Sequence, residues 1–304
     1  MSFPPDPDLM ADRRRLKRGL AAWRLAAVLA VLAAVVMAVQ GREPGLVGDH
    51  VARLTVEGMI LADPARDEAL ADLAEDDAVK ALLVRIDSPG GTLPGSEMLY
   101  RSLRKVAEKK PVVAVMDSVA ASGGYMAALG AERVFAQRST ITGSIGVIMQ
   151  TADLTGLLDK LGVEAEAFRS GPLKAQPNPL EPITDEVRRA TQAVIDEMHA
   201  LFVDMVAEGR GMDRAAVARL ADGRIYSGQE AVRLGLVDAV GGEDEARAWL
   251  AAERGVAADL PVEDVVPGRE EAGMLRELVG MAGKTLIPEP LILDGLLAVW
   301  HPGE

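Results

Sequence analysis

The sequence predicts an α/β domain, in which helices cover a largely parallel sheet, preceded by one transmembrane helix. From about residue 50 to residue 255, short apolar runs alternate with amphipathic helical patterns, which is typical of βαβ units. Near the N-terminus, a basic cluster is followed by the charge-free apolar stretch Leu25 to Val39. Hydrophobic residues make up 49% of the 304 residues and charged residues 26%, a composition that folds around a core.

Composition excludes several kinds of site. The net charge of −13 argues against nucleic acid as the main partner, because phosphate binding requires clustered lysines and arginines. The chain has no cysteine, which rules out disulfides, thiolate catalysis and cysteine-ligated metals. Its three histidines, His50, His199 and His301, are far apart in sequence, so a histidine-rich metal site is not expected. We therefore expect neither a metal ion nor an organic cofactor.

The N-terminal segment is predicted to anchor the chain in a membrane. Residues 1–24 carry six basic and three acidic side chains, and the predicted anchor at 25–40 is apolar up to Val39. A spanning helix needs about 20 apolar residues, and residues 19–23 supply the missing length if Arg24 reaches the interface with its charged end. The positive-inside rule then places residues 1–24 in the cytoplasm and everything after Gln40 across the membrane.

Two other interpretations of this segment remain open. A cleaved signal peptide has the same basic-then-apolar plan, and "VMA" at 36–38 is a tolerable cleavage site. A buried core helix is the other alternative, although six basic residues directly upstream fit it poorly. The membrane anchor is the interpretation that the charge pattern favours.

The first half of the domain follows a linker, "GREPGLVGD" at 41–49. "HVARLTVEGMI" is predicted as the first strand, "ARDEALADLAEDDAVK" as a helix, and "ALLVRI" as a buried strand that enters the turn "DSPGGTLPG". "SEMLYRSLRKVAEKK" is predicted as a helix because Ser96 suits an N-cap, with an early Glu and late lysines. The strand "PVVAVM" then leads the chain to Ser122.

The second half continues the alternation. "RVFA", "SIGVIM" and "VEAEAFRS" are predicted as strands, and "LTGLLDKLG" as a helix. Longer helical patterns occupy about 184–209 and 213–221, and "SGQEAVRLG" and "GEDEARAWLAAERG" complete the domain. Residues 263–304 form a predicted C-terminal helical extension, whose amphipathic runs are expected to pack on a neighbour rather than lie on a membrane surface.

Ser122 stands out because small residues surround it in "VMDSVAASGGYMAALGA". A serine hydroxyl is a weak nucleophile unless a nearby base takes its proton. A histidine base is poorly supported, since A-A-S-G-G lacks the first glycine of the G-x-S-x-G elbow. His199 moreover lies in the helical pattern "VIDEMHALFVDM", where a packed or surface role is the more natural interpretation.

A lysine kept neutral by burial is the alternative base, because desolvation disfavours the ammonium form. Of the eight lysines, Lys174 differs from the others: "SGPLKAQPNP" surrounds it with Gly, Pro, Leu and Ala, and no acidic residue lies within six positions. On local sequence alone, a solvated loop lysine is an equally good interpretation of Lys174.

Two glycine pairs supply a third requirement of acyl transfer, which is N–H donors for the oxyanion. "SPGG" at 88–91 follows a predicted strand and can offer the N–H of Gly91. The N–H of Gly123, beside the serine at a helix N-terminus, can offer the other. Tight turns alone would also explain these glycines.

Together, the motifs "DSPGG", "VAASGGYMAA", "TGSIGVI", "SGPLK" and "ADGRIYSGQEAVRLGLVD" resemble the signal peptide peptidase A family, the membrane-anchored Ser/Lys peptidases, in its short form. The resemblance implies a Clp-protease/crotonase-like fold of repeated ββα units over residues 50–262. It also implies that Ser122 is the nucleophile, that Lys174 is the general base, and that Ser144 of the T-G-S motif orients that lysine. A ring of identical subunits is implied as well, in which the base can serve the serine of a neighbouring subunit.

The resulting hypothesis is a serine endopeptidase that cleaves remnant signal peptides and other extended hydrophobic peptides. The catalytic domain is expected on the extracytoplasmic side of the bacterial inner membrane, with the anchor in the lipid bilayer. A peptide is expected to bind as an added strand beside Gly90, Thr92 and Leu93. An inactive peptide-binding scaffold and a crotonase-type acyl-CoA enzyme are the alternatives.

Overall fold

The computed structural model describes Trp23 and residues 48–267. The predicted membrane anchor at 25–40 lies outside the described residues, as do nearly all of the basic tail and most of the predicted extension at 263–304. Within the described part, no helix has both the length and the apolar character needed to cross a bilayer. The predicted domain boundaries therefore stay predictions.

One sheet organises the described part. Its strands run β6-β5-β3-β2-β1-β8, and β4 pairs with β3 and with β7. All of these pairs are parallel except β5 with β6, which is antiparallel. The predicted α/β architecture is confirmed. The strands are β1 (His50–Ile60), β2 (Val79–Gly91), β3 (Val112–Ala121), β4 (Arg133–Ala136), β5 (Ile141–Gly143), β6 (Ile225–Ser227), β7 (Ala239–Val240) and β8 (Val262–Asp264).

Helices connect these strands, and side-chain caps mark where several of them begin. Thr92 Oγ1 accepts a hydrogen bond from Gly95 N–H at 3.2 Å, and Thr184 Oγ1 accepts one from Val187 N–H at 3.2 Å. The described helices are α1 (Pro64–Glu75), α2 (Leu93–Ala107), α3 (Gly123–Ala128), α4 (Thr155–Leu161), α5 (Asp185–Arg210), α6 (Arg214–Leu220), α7 (Gly228–Arg233) and α8 (Glu243–Arg254).

The central strands are buried on both faces, which explains their continuous apolar sequence. In β2, Leu82, Val84 and Ile86 enter the larger core, where helices α1, α2, α3 and α5 contribute side chains. The alternate residues Ala81 and Leu83 enter a smaller core that α8 covers. This division follows from the two-residue period of a strand.

Two predicted strands are wrong. "SIGVIM" has no regular structure, because positive φ angles at Gly143 (80°) and Ser144 (50°) turn the chain away at the end of β5. "VEAEAFRS" is also irregular, and the described residues offer it no partner strand. Apolar side chains of both segments reach solvent, since Ile148 is 76% exposed and Phe168 is 92% exposed, although Ile145 is buried.

Two predicted helix boundaries also differ. The first helix ends at Glu75, and Val79 and Lys80 already belong to β2. Helix α2 begins at Leu93 with Thr92 as its N-cap, so Ser96 is not the cap but a residue of the first turn. Its side chain is fully buried.

A largely buried ion pair, whose side chains are 10% and 19% exposed, ties α5 to the loop before β7. Arg210 Nη1 and Nη2 donate to the two carboxylate oxygens of Asp238 at 2.9 and 2.8 Å, and Val134 N–H donates to the same carboxylate at 2.8 Å. Burial raises the pKa of Asp238, but its hydrogen bonds to Arg210 and the guanidinium charge outweigh that effect, so the pKa lies below its ordinary value. The pair therefore stabilises the fold at neutral pH.

We expect Asp238→Ala to lower the free energy of unfolding by about 3 kcal/mol at pH 7, because it leaves Arg210 buried without its partner. A carboxyl group with a lowered folded pKa stabilises above its unfolded pKa of about 3.9 and loses that contribution as pH falls through the folded value. The gap between variant and wild type in denaturant titrations should therefore narrow below about pH 4. Asp222→Ala, which breaks an exposed pair with Arg224, should leave the unfolding midpoint unchanged. A gap that is constant with pH would contradict this assignment.

Candidate active site

Ser122 occupies a strained turn between β3 and α3. Its φ and ψ are 51° and −119°, a conformation that costs a residue with a side chain about 1–3 kcal/mol. Backbone hydrogen bonds hold it on both sides: its N–H donates to Gly143 O at 2.8 Å, and its carbonyl accepts from Met126 N–H at 2.9 Å. The turn leaves the serine half-buried at the wall of a cavity.

The glycine turn, where the last two residues of β2 (Gly90 and Gly91) lead through Thr92 into α2, packs directly against the serine turn. The sequence predicted that the strand ends before "DSPGG", but it continues to Gly91, which still pairs with β1. A Cβ on Gly90, whose φ is 114°, would lie 2.9 Å from both Gly123 N and Ser122 Cβ. A Cβ on Gly123 would lie 3.1 Å from Gly91 N. The two turns thus touch backbone to backbone, which only glycine permits. The N–H of Gly123 precedes the first helical hydrogen bond of α3, so it has no partner within the helix.

The cavity beside Ser122 has a volume of about 530 Å³. Four further residues predicted for the site lie in its wall, namely Gly91, Thr92, Leu93 and Gly123. Gly90 stands directly behind them. The rest of the wall is largely apolar and contains no charged side chain among the described residues. It includes Met126, Val147, Ile148, Met149, Ile195, Met198 and Phe202.

Ser144 lies one residue from the backbone contact of Ser122. It follows β5, has a φ of 50°, and its N–H donates to Arg224 O at 2.8 Å. The preceding residue, Gly143, supplies the carbonyl that receives the Ser122 N–H. The structure thus brings the T-G-S motif next to the predicted nucleophile.

Lys174, by contrast, is not among the residues of its own chain that line the cavity. It is exposed and lies in a loop without regular structure. Contacts at the base of the loop hold its shape: Arg169 pairs with Glu181, and Gln176 Nε2 donates to Glu181 Oε2 at 2.7 Å. The predicted base therefore has an ordered position, but it stands outside the serine site of its own chain.

The His199 side chain makes a hydrogen bond away from Ser122. Its Nε2 lies 2.8 Å from Ala221 O, and because a carbonyl only accepts, that nitrogen carries its proton and cannot take one from Ser122. His199 does not line the cavity, although Met198 beside it does. The packed role expected from the helical pattern agrees with this contact.

Tyr125, a residue of helix α3, holds the helix in place through a buried hydrogen bond. This side chain is fully buried, and its hydroxyl donates to Leu236 O at 2.9 Å. Burial raises the pKa of Tyr125, so the hydroxyl keeps its proton and serves only as a donor to the carbonyl. This hydrogen bond connects the helix that follows Ser122 to the loop held by Arg210 and Asp238.

Sequence reasoning missed two parts of the site. Ile195, Met198 and Phe202 line the cavity from one face of α5. Their helical spacing is visible in the sequence, but the sequence does not show that this face borders the cavity at Ser122. Ser96 also lines the cavity, and its Oγ–H donates to Thr92 O at 3.0 Å. The signal that could have revealed Ser96 is Pro94, since proline favours the first turn of a helix and so places Ser96 beyond the cap.

Comparisons with known proteins show which family the chain belongs to. The sequence profile described as peptidase family S49 matches residues 104–257. A relative from Synechocystis sp. is 40% identical over 232 residues, which are 76% of this chain and 83% of the relative. The serine protease SPPA, chloroplastic, of Arabidopsis thaliana is 34% identical over 234 residues, which are 76% of this chain but only 34% of that protein.

Among solved structures, a mutant of the 1510-N membrane-bound stomatin-specific protease matches with a TM-score of 0.50. The match covers 73% of this chain and 100% of the other, at 15% sequence identity. At this identity the likeness shows a shared fold alone.

The contact of the two turns can be tested through Gly123. Replacing glycine with alanine ordinarily stabilises a helix by about 1 kcal/mol, but a Cβ at residue 123 would lie 2.0 Å from Ser96 Oγ. We expect Gly123→Ala to lower the free energy of unfolding by about 2 kcal/mol, and Ser96→Ala in the same chain to recover part of that loss, as measured by a double-mutant cycle. Gly156→Ala in α4 meets no atom within 4 Å and should not destabilise. Additive effects of the two substitutions would contradict the contact.

Proposed function

Because the chain belongs to peptidase family S49, as its resemblance to signal peptide peptidases predicted, we propose that it is a serine endopeptidase with Ser122 as nucleophile and Lys174 as general base. The observation that carries the proposal is Ser122 itself. A strained turn holds the serine at an uncharged cavity, directly against a glycine turn that can supply oxyanion donors. Strain of this kind persists where surrounding contacts enforce it, and it clusters at active sites.

The proposed reaction is acyl transfer. Ser122 Oγ attacks the carbonyl carbon of the scissile peptide bond while its proton passes to the neutral amine of Lys174. The N–H groups of Gly91 and Gly123 stabilise the negative oxygen of the tetrahedral intermediate. When the intermediate collapses, the C–N bond breaks and Lys174 returns the proton to the leaving amine. Water, deprotonated by the same lysine, then hydrolyses the acyl-enzyme.

The base is proposed to come from a neighbouring copy of the chain. Lys174 is exposed and stands outside the serine cavity of its own chain, so a second subunit in a ring is the natural source of the missing amine. Ser144 is then proposed to orient the incoming lysine. Exposed apolar side chains between β5 and α5 offer a surface for such an interface: Ile148, Leu157, Leu161, Val163 and Phe168.

The proposed substrates are extended hydrophobic peptides, including remnant signal peptides. An uncharged cavity favours apolar side chains, since a charged one would lose its hydration there without gaining a partner. The backbone at Gly90, Thr92 and Leu93 borders the cavity and is proposed to receive the peptide as an added strand. The anchor at 25–40 is proposed to hold the domain on the extracytoplasmic face of the inner membrane, beside such peptides.

The acyl-CoA alternative fits less well. It expects a catalytic acid in the cavity and a basic patch for the nucleotide, and the described lining contains no charged residue. The serine would also have no task in such an enzyme, although its strained conformation is maintained.

Mixing of two inactive variants tests both the dyad and its arrangement. We expect Ser122→Ala and Lys174→Ala each to lose at least about 1,000-fold in kcat toward an apolar signal-peptide reporter. When subunits of the two variants are mixed in equal amounts and reassembled, about a quarter of the sites should combine an intact serine with an intact lysine from a neighbour. Activity near that fraction would support a base in trans. No recovery in mixed rings would place the base within one chain, and full activity of Lys174→Ala alone would require another base.

The α5 face is predicted to set side-chain preference. We expect Met198→Ala to enlarge the cavity and to shift the ratio of kcat/KM for a reporter with Phe over one with Ala by about 10-fold or more. Val194→Ala, on the same helix but outside the cavity wall, is the matched control and should leave the ratio unchanged. An equal shift in both variants would mean that the preference does not arise from this cavity.

A further inference from the structure

We propose that Ser96 is a positioning residue that sets the spacing between the two oxyanion donors, an inference that rests on the proposed function. Ser96 is fully buried in the first turn of α2 and lines the same cavity as Ser122. A buried hydroxyl in an apolar wall is unfavourable unless it is hydrogen-bonded. Its partners therefore indicate what it does.

Ser96 fixes the chain directly after Gly91. Thr92 O accepts two hydrogen bonds from Ser96, one from its backbone N–H and one from its Oγ–H, each at 3.0 Å. On the other side of Thr92, its own N–H donates to Ile60 O at 3.0 Å. The peptide groups that follow Gly91 are thus held from two directions, and one of these contacts is the Ser96 hydroxyl.

The same hydroxyl also contacts the serine turn. A Cβ built on Gly123 would lie 2.0 Å from Ser96 Oγ and 3.1 Å from Gly91 N. The hydroxyl oxygen and the Gly91 nitrogen therefore face the same side of Gly123. Ser96 bonds one donor-bearing turn and packs against the other, so it determines how far apart the turns stand.

The hydroxyl is separable from the fold. In Ser96→Ala the Cβ remains in place, and Thr92 O keeps the hydrogen bond from residue 96 N–H, so no buried carbonyl is left unpaired. The substitution removes the hydrogen bond from the Ser96 hydroxyl to Thr92 O, and it removes the hydroxyl oxygen that packs against Gly123. The variant is therefore expected to fold, with the two donors held less firmly.

Misplaced donors weaken the transition state more than the bound substrate, because the oxyanion exists only in the former. We expect Ser96→Ala to lower kcat by about 10- to 100-fold, since losing an oxyanion donor outright costs about 100- to 1,000-fold. KM should change by less than about twofold. A purely structural role would instead reduce the amount of folded enzyme and leave kcat per active site intact.

The decisive measurement compares two inhibitors that share one apolar peptide sequence, a peptide aldehyde and the corresponding alcohol. Ser122 Oγ adds to the aldehyde carbon, its proton passes to Lys174, and the resulting oxygen anion occupies the donor site; the alcohol forms no such adduct. We expect Ser96→Ala to weaken aldehyde inhibition about 10-fold or more and to leave alcohol inhibition unchanged. Equal weakening of both inhibitors, or of neither, would overturn the proposal.

Controls separate this inference from the proposed function. Ser102→Ala removes a serine from the same helix whose Oγ donates to Asp67 at 3.0 Å, away from the cavity, and should match wild type with both inhibitors. If Ser122→Ala keeps its activity, the proposed function itself fails. If Ser122→Ala is inactive while Ser96→Ala matches wild type, only the role of Ser96 fails. Should Ser96→Ala not fold, Ser96→Cys, which keeps a weak donor, provides the same comparison, with an intermediate ratio expected and a wild-type ratio overturning the proposal.

Discussion

The close approach of two turns is the constraint on which the rest of the site depends. Strands β2 and β3 are parallel and adjacent, with Ser88 opposite Ala120, so both strands end at the same edge of the sheet. The end of β2 and the turn after β3 come into backbone contact at Gly90 and Gly123. At this distance a Cβ on Gly90 would collide with Ser122, and a Cβ on Gly123 would collide with Ser96 and crowd the nitrogen of Gly91. The sheet register and the glycines together therefore fix where the serine stands.

Such a turn needs support from around it. Ser122 is held in its unfavourable conformation by hydrogen bonds to Gly143 and from Met126, and all six residues of α3 are buried. Tyr125 then ties the helix to the loop whose position depends on the buried pair of Arg210 and Asp238. Stability elsewhere in the domain thus compensates for local strain at the serine. Substitutions far from the cavity are expected to reach Ser122 through this connection.

Much of the fold could be predicted from the sequence, because apolar periodicity reports which faces are buried. The central strands and the long helix α5 were visible in this way, whereas the turn predicted to begin at "DSPGG" lies largely within β2. The same signal misled at "SIGVIM" and "VEAEAFRS", since periodicity shows an apolar face but not whether the chain itself supplies a partner for it. Ser96 was taken for a cap because Ser is favoured over Thr as an N-cap, and only the fold shows which one lies outside the helix. That Lys174 stands apart from Ser122 is a tertiary fact that local sequence does not encode.

The separation of Ser122 from Lys174 has a consequence for when the protein is active. If the amine comes from a second copy, a newly made chain carries a serine without a base, and it stays harmless to the hydrophobic segments around it. Assembly then works as the activating event. Because assembly depends on the concentration of the chain, the activity per molecule would rise with the local density of the protein. At low concentration the chains would be inactive, and a rise in concentration alone would activate them.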